Sequence, residues 1–158
     1  MKNRIDTLRR LTLVGAAAML CALGSATAMA KGDWVLVAGA TGKTGKLVVE
    51  QLVAADYKVR AMARNPETAK AALPSGVEIV KGDVTDPASL DSPMKGVKYV
   101  VSAIGAGGMK PEPGNGPVEV DLQGNIALVK AAQKAKVKQF VLVSSAATSK
   151  AAEFPVPF

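Results

Sequence analysis

The chain has 158 residues, a net charge of +7 at neutral pH, 49% hydrophobic residues and only 4% aromatic residues. It contains no histidine and a single cysteine, Cys21, which excludes a zinc site or a histidine-based catalytic site on composition. Its lysines are dispersed and aromatic side chains for base stacking are few, so a nucleic-acid-binding surface is not expected.

Residues 1–30 are predicted to be a secretory signal peptide. A basic start that includes Arg9-Arg10 is followed by an apolar run, and Ala28-Met29-Ala30 is typical of cleavage before Lys31. The run is short for a retained membrane anchor, which is the alternative. Arg9-Arg10 also matches part of a twin-arginine signal, a second export route. We therefore expect an exported bacterial protein in the periplasm, with no stable membrane span after cleavage.

Residues 31–158 are long enough for one domain with a hydrophobic core. Cleavage of the signal removes four Lys/Arg and one Asp, which lowers the net charge from +7 to +4. Cys21 also lies in the signal, so the exported domain has no cysteine and no disulfide. Packing alone is expected to stabilise it, although the compartment would permit disulfides.

The first predicted strand, Trp34–Ala38, leads into a glycine turn and then a helix. Gly39, Gly42 and Gly45 follow at a spacing of three, where the chain must turn tightly and where a phosphate can approach the backbone. The N-terminus of the following helix directs its N–H groups and positive dipole end at the same place. A pyrophosphate site is predicted here. Between the glycines the site includes Thr41, Lys43 and Thr44.

Strands and helices alternate along the rest of the chain. Further strands are predicted at 57–63, 77–80, 97–104 and 139–143. Helices are predicted at 46–55, at 67–73, briefly after a capping Asp86, and at 118–136, where Leu122, Ile126 and Val129 share one face. Apolar strands that alternate with helices predict an α/β fold, a doubly wound parallel sheet in the order 3-2-1-4-5. Ligands of such sheets bind beyond the carboxyl ends of the strands.

The glycine turn has two other possible interpretations. Gly42-Lys43-Thr44 contains part of an NTPase P-loop, but that motif needs a further glycine at position 37, which is Val37. The turn is therefore too short to wrap a triphosphate. A turn that binds no ligand is the second alternative.

The Gly39–Gly45 turn resembles the nucleotide motif of the extended and atypical short-chain dehydrogenase/reductases, particularly the NmrA-like, NAD(P)H-binding branch. The resemblance continues through Val59–Arg64, Gly82–Asp86, Val120–Asn125 and Val141–Ser145. It implies a Rossmann-like, NAD(P)-binding domain over most of residues 31–158, and it permits a small-molecule substrate without specifying a reaction.

The residue at the end of the second strand bears on which dinucleotide is bound. NAD-specific sites place Asp or Glu there to hold the ribose hydroxyls, whereas this chain has Arg64. A guanidinium offers forked donors to a 2′-phosphate, and the family resemblance implies that Lys43 adds a second positive charge. We therefore predict NADP(H) in preference to NAD(H). The alternative for Arg64 is a solvated surface residue.

Further cofactor contacts are predicted at the ends of the third and fourth strands. The resemblance implies that Asp83 and Val84 border the adenine, while a simple turn carboxylate is an equally good interpretation of Asp83. Ala103, Ile104 and Gly105 end the fourth predicted strand, and small residues there let a cofactor lie across the sheet edge. A plain strand-to-loop connection is the alternative.

A catalytic pair is not found in the sequence. Short-chain reductases typically use Tyr-x-x-x-Lys, but neither Tyr57 nor Tyr99 is followed by lysine at that spacing. Ser144 and Ser145 lie where the family places a serine at the substrate pocket, or they serve as strand-end hydrogen-bonding residues. The chain ends soon after the fifth strand and is expected to be truncated at its C-terminus. An oxidoreductase, its cofactor-binding half, a non-catalytic redox-sensing module and an interaction protein all remain open.

Overall fold

The computed structural model describes residues 32–107 and 113–144. The predicted signal peptide at residues 1–30, Ser145 and the C-terminal residues to 158 lie outside this range. The division of the chain at Lys31 and the C-terminal truncation therefore stay predictions.

Five strands alternate with helices in the predicted order. The strands are β1 (Trp34–Ala38), β2 (Lys58–Ala63), β3 (Glu78–Lys81), β4 (Val97–Ser102) and β5 (Gln139–Leu142). The helices are α1 (Lys43–Ala54), α2 (Pro66–Ala72), a 3-10 helix (Pro87–Leu90) and a π-helical segment (Val118–Gly124) that continues into α3 (Asn125–Lys134). Element ends differ from the prediction by only a few residues, as is usual where helices and strands fray.

The strands form one parallel sheet in the order β3-β2-β1-β4-β5, which confirms the predicted doubly wound topology. Ala38, at the end of β1, is paired with Met62 of β2 and with Ser102 of β4. The carboxyl ends of the three central strands therefore meet at one edge of the sheet. In this class of fold, that edge is where ligands bind.

Hydrophobic clusters cover both faces of the sheet. One contains Leu36, Leu90, Val100 and Leu128, so it joins β1 and β4 to the 3-10 helix and α3. The second contains Val37, Val49 and Val59, and it packs α1 against β1 and β2. Burial on both faces explains why the strand sequences are continuously apolar rather than alternating.

The side of the helix over 118–134 that packs on the sheet is not the side that carries most of its large apolar residues. Leu122, Ile126 and Val129 do share a face, but that face is 57%, 46% and 37% exposed. The buried side of α3 consists of Leu128 with two alanines, at positions 131 and 132, because small residues let the helix approach the sheet closely. Apolar residues occur on more than one side of this helix, so their spacing alone did not identify the packed side.

Arg60 is a buried cation that ties β2 to its surroundings. Its Nη1 donates to the carbonyl oxygens of Pro93 and Lys95, at 3.0 and 2.6 Å. Its Nη2 lies 3.1 Å from Glu78 Oε2 on β3, and the guanidinium stacks 4.9 Å from the centre of the Trp34 ring. These contacts link three strands to the turn before β4.

Candidate functional site

A cavity of about 560 Å³ opens at the carboxyl edge of the sheet. It is lined by the turn after β1, by the ends of β2 and β3, by the loop after β4 and by the start of the helix over 118–134. Its size and its place, where several strands end, are typical of cofactor sites in open α/β folds.

The glycine turn lines this cavity, and two of its glycines, Gly39 and Gly45, leave no room for a side chain. Gly39 has a φ of +77°, and a Cβ atom there would lie 2.5 Å from the carbonyl oxygen of Ala103. The Gly42 N–H closes the turn on the Gly39 carbonyl oxygen at 3.0 Å. A Cβ atom at Gly45 would collide with that same oxygen. At Gly39 and Gly42 the turn therefore presents backbone to the cavity, and Thr41 lines it between them.

Helix α1 starts at this turn without a side-chain cap. Its N-cap is Gly42, no side chain accepts from its first N–H groups, and no acidic residue lies in its first turn. In contrast, α2 is capped by Asn65, whose Oδ1 accepts from the backbone N–H groups of Glu67 and Thr68. The first N–H groups of a helix have no partners within the helix. At α1 they are available to an anion in the cavity.

Arg64 and Asn115 meet beside the cavity. Arg64 follows directly after β2, and its Nη1 donates to Asn115 Oδ1 at 3.0 Å. Both residues line the cavity. A positive charge thus lies at the end of β2, where an acid would stand in a site built for ribose hydroxyls.

Asp83 shapes the turn after β3 and also lines the cavity. Its Oδ1 accepts from the Thr85 backbone N–H at 2.9 Å and from the Thr85 hydroxyl at 2.8 Å, and its N–H donates to Ser89 Oγ at 2.8 Å. Val84 packs so closely on Gly124 that a Cβ atom at position 124 would lie 2.7 Å from Val84 Cγ2. Asp83 is therefore a turn carboxylate that also lines the cavity, and its contact with an adenine stays a prediction.

The loop after β4 is fixed by hydrogen bonds to the helix over 118–134. The Ala106 N–H donates to Asp121 Oδ1 at 2.8 Å. The Ser102 hydroxyl donates to Asn125 Oδ1 at 2.6 Å, and Asn125 Nδ2 donates to the Asp121 carbonyl oxygen at 2.8 Å. The π-helical segment that this network fixes also contributes Val120 to the cavity lining.

Most of the predicted site residues line the cavity. These are Gly39, Thr41, Gly42, Arg64, Asp83, Val84, Ala103, Ile104 and Gly105. The others do not: Lys43 and Thr44 begin α1 with exposed side chains, Gly45 is buried beneath the turn, and Ser144 is exposed after β5. Ser145 lies outside the described residues.

Sequence reasoning missed several lining residues. They are Met62, Ala63, Gly82, Ala106, Gly107, Asn115 and Val120. Four of them could have been predicted from the sequence, since Met62 and Ala63 end a predicted strand and Ala106 and Gly107 follow one. Asn115 carried no signal, because it lies within a Pro/Gly-rich stretch.

Neither a metal cluster nor a membrane span is present in the part of the chain that the structure describes. No group of three or more His, Cys, Asp or Glu side chains gathers within residues 32–107 and 113–144. Nor does any helix in these ranges have the length and apolar character to cross a bilayer.

The chain is similar to known proteins both in sequence and in structure. The model of an NAD(P)H-binding family matches residues 39–158. The photosystem II assembly factor Ycf39 of Cyanophora paradoxa is 30% identical over 77% of this chain, and TIC 62 of Pisum sativum is 35% identical over 73%. A solved structure from Bacillus halodurans, described as an NAD-dependent epimerase/dehydratase, superposes with a TM-score of 0.67 at 28% identity and covers 78% of this chain and 56% of its own.

The chain spans only 37% of the Cyanophora protein and 25% of the pea protein. The relatives also contradict the predicted periplasmic location, since TIC 62 and the Arabidopsis thaliana protein At2g34460 are chloroplast proteins. That prediction is wrong because it rested on residues 1–30 alone. A segment with several basic residues and one acid is typical of transit peptides as well as of bacterial signals.

The family model covers most of the chain, and its range begins at Gly39, the first glycine of the turn. The sheet order and the cavity at the carboxyl edge are those of a dinucleotide-binding fold. The chain therefore belongs to the NAD(P)H-binding family, NmrA-like and related to the short-chain dehydrogenase/reductases.

Proposed function

We propose that this chain binds NADP(H) in preference to NAD(H), with the pyrophosphate on the Gly39–Gly45 turn and the N-terminus of α1. The observation that carries the proposal is the uncapped start of α1 beside the cavity, with no acid in its first turn. A pyrophosphate supplies the acceptors that these N–H groups lack and the negative charge that the helix dipole favours. Lys43, the first residue of α1, adds positive charge at the same place.

The preference for NADP(H) rests on Arg64. Only one nitrogen of its guanidinium is engaged by Asn115, and the group has further N–H donors for a 2′-phosphate. Among the described residues that line the cavity, Asp83 is the one acid, and its Oδ1 already accepts two hydrogen bonds from Thr85. The cavity therefore has free donors for a 2′-phosphate, whereas the Asp83 carboxylate, which could accept from ribose hydroxyls, is already engaged.

The remaining contacts follow from the order of the segments around the cavity. The adenine lies beside Asp83 and Val84, next to the end of β2 where Arg64 meets the ribose. The nicotinamide half lies on the loop Ala103–Gly105, across the sheet edge. Ser144 belongs to this proposal as a residue of the substrate side, beyond the nicotinamide.

An NADP(H)-dependent oxidoreductase, or its cofactor-binding half, is the first candidate activity. A solved oxidoreductase of Lactococcus lactis, ylbE, is 30% identical over 74% of this chain, which supports it. A non-catalytic dinucleotide-binding or redox-sensing module is the second candidate. It is favoured by the cavity lining, which within the described residues contains no tyrosine, lysine or cysteine, and by a relative named as an assembly factor.

Titration of the purified chain with NADPH and NADH, followed by nicotinamide fluorescence and by calorimetry, tests the proposal. We expect tighter binding of NADPH, and binding of neither dinucleotide would overturn it. Hydride transfer from bound NADPH to a panel of quinones, flavins and aldehydes separates the two candidates. Transfer to any acceptor supports the oxidoreductase, whereas binding without transfer supports the non-catalytic module.

A further inference from the structure

The Arg64 guanidinium is held by a residue far along the chain. Arg64 Nη1 donates to Asn115 Oδ1 at 3.0 Å, a contact between residues 51 positions apart. The Arg64 side chain is exposed, whereas Asn115 is half-buried. The contact therefore joins an exposed, charged side chain to a neutral one that is less exposed.

Asn115 is anchored from both sides in the chain. Gly114 before it has a φ of +80°, a conformation that glycine adopts readily and that sets the chain's direction into Asn115. After it, the Gly116 carbonyl oxygen accepts from the Val120 N–H at 2.9 Å, which ties the segment to the π-helical turn. Val120 itself lines the cavity.

We infer that Asn115 is a positioning residue that determines cofactor specificity by holding Arg64 over the place of the 2′-phosphate. This inference rests on the proposed function, in which Arg64 binds that phosphate. An exposed arginine loses side-chain conformational entropy when it binds a ligand, and this entropy loss weakens binding. In this chain the Asn115 contact restricts the Arg64 rotamers before the ligand arrives.

The choice of an amide rather than a carboxylate matters for this role. The Asn115 oxygen is a neutral acceptor, so it orients the guanidinium without neutralising its charge. A carboxylate at the same distance would form an ion pair with Arg64 and compete with the phosphate for it. Asn115 therefore orients the Arg64 guanidinium, and the positive charge of Arg64 stays available to the ligand.

The experiment measures the dissociation constants of NADPH and NADH for the full chain and for Asn115→Ala, Asn115→Asp, Arg64→Ala and the Arg64→Ala/Asn115→Ala double variant. We expect Asn115→Ala to weaken NADPH binding about 3- to 10-fold, the range for ordering one flexible side chain, and to leave NADH binding nearly unchanged. Asn115→Asp should weaken NADPH binding more than Asn115→Ala does. In the Arg64→Ala background, Asn115→Ala should have no further effect.

Two outcomes contradict the inference. Equal losses of NADPH and NADH affinity in Asn115→Ala would show that Asn115 only shapes the loop, and thermal unfolding of each variant identifies any that fails to fold. An additive effect of Asn115→Ala in the Arg64→Ala background would show that it does not act through Arg64. A failure of the proposed function is distinguishable, because Arg64→Ala would then leave the NADPH-to-NADH affinity ratio unchanged.

Discussion

Gly45, in the first turn of α1, lies directly on the carbonyl group of Gly39. A Cβ atom at position 45 would collide with the Gly39 carbonyl oxygen and lie 2.7 Å from the carbonyl carbon. Both atoms belong to the backbone, so no side-chain movement can relieve the clash. The helix and the turn can meet at this distance only because position 45 has no side chain.

Replacement of Gly45 by alanine is expected to lower the free energy of unfolding by about 3 kcal/mol, because the added methyl group overpacks a backbone contact. Urea unfolding measures the change. Gly107→Ala is the matched control, since a Cβ atom there meets nothing within 4 Å. If both variants unfold at the same urea concentration, the close contact at Gly45 is not a constraint.

Arg64→Glu is expected to weaken NADPH binding about 10- to 100-fold, the range for losing a hydrogen bond to a charged group. The glutamate also repels the 2′-phosphate, whereas NADH carries no such phosphate, so its affinity should change little. Lys58→Glu, at the opposite end of β2, makes the same charge change away from the cavity and should affect neither dinucleotide. Equal losses for NADPH and NADH in Arg64→Glu would mean that Arg64 does not contact the phosphate.

Gly124→Ala is expected to weaken NADPH and NADH binding equally. The new methyl group would lie 2.7 Å from Val84 Cγ2 and push Val84 towards the cavity, at a cost in stability of about 2 kcal/mol. Dinucleotide titration and thermal unfolding measure the two effects. Val84→Ala in the same molecule should recover part of the stability, because it removes Cγ2 but keeps Val84 Cβ, which would lie 3.0 Å from the new methyl carbon. No recovery in the double variant would place the damage elsewhere.

Arg60→Ala is expected to lower the free energy of unfolding by about 3 kcal/mol, because it removes a buried cation with several hydrogen bonds. Arg60→Lys should recover only part of this loss, since an ammonium cannot reproduce the guanidinium's planar fork. Urea unfolding ranks the three proteins. Arg60 does not line the cavity, so the folded fraction of each variant should bind NADPH with unchanged affinity. A fall in that affinity would link Arg60 to the site.

The sequence predicted the sheet well because its signals are local. Each strand is a short apolar run bounded by turn residues, and right-handed crossovers leave few possible strand orders. The glycine turn could equally be predicted, since the positive φ of Gly39 and the close backbone contacts of Gly39 and Gly45 require glycine.

Features that depend on contacts between residues far apart in the chain were harder to predict from the sequence. The exposed side of α3 carries large apolar residues such as Ile126, while alanines face the sheet, and spacing cannot rank one apolar side above another. Likewise, Asn115 meets Arg64 across 51 positions, and nothing near Asn115 in the chain indicates that partner.

The uncapped start of α1 has a consequence for the energy balance of the whole molecule. In many helices an N-cap side chain accepts hydrogen bonds from the first backbone N–H groups. The loss of such a cap typically costs about 1 kcal/mol of stability. No side chain caps the first N–H groups of α1, and in the proposed function the pyrophosphate of the dinucleotide accepts from them instead. A ligand that binds only the folded state raises the free energy of unfolding as its concentration rises. The amount of folded protein should therefore follow the supply of the dinucleotide, and the first turn of α1 should exchange its amide hydrogens more slowly when the dinucleotide is bound.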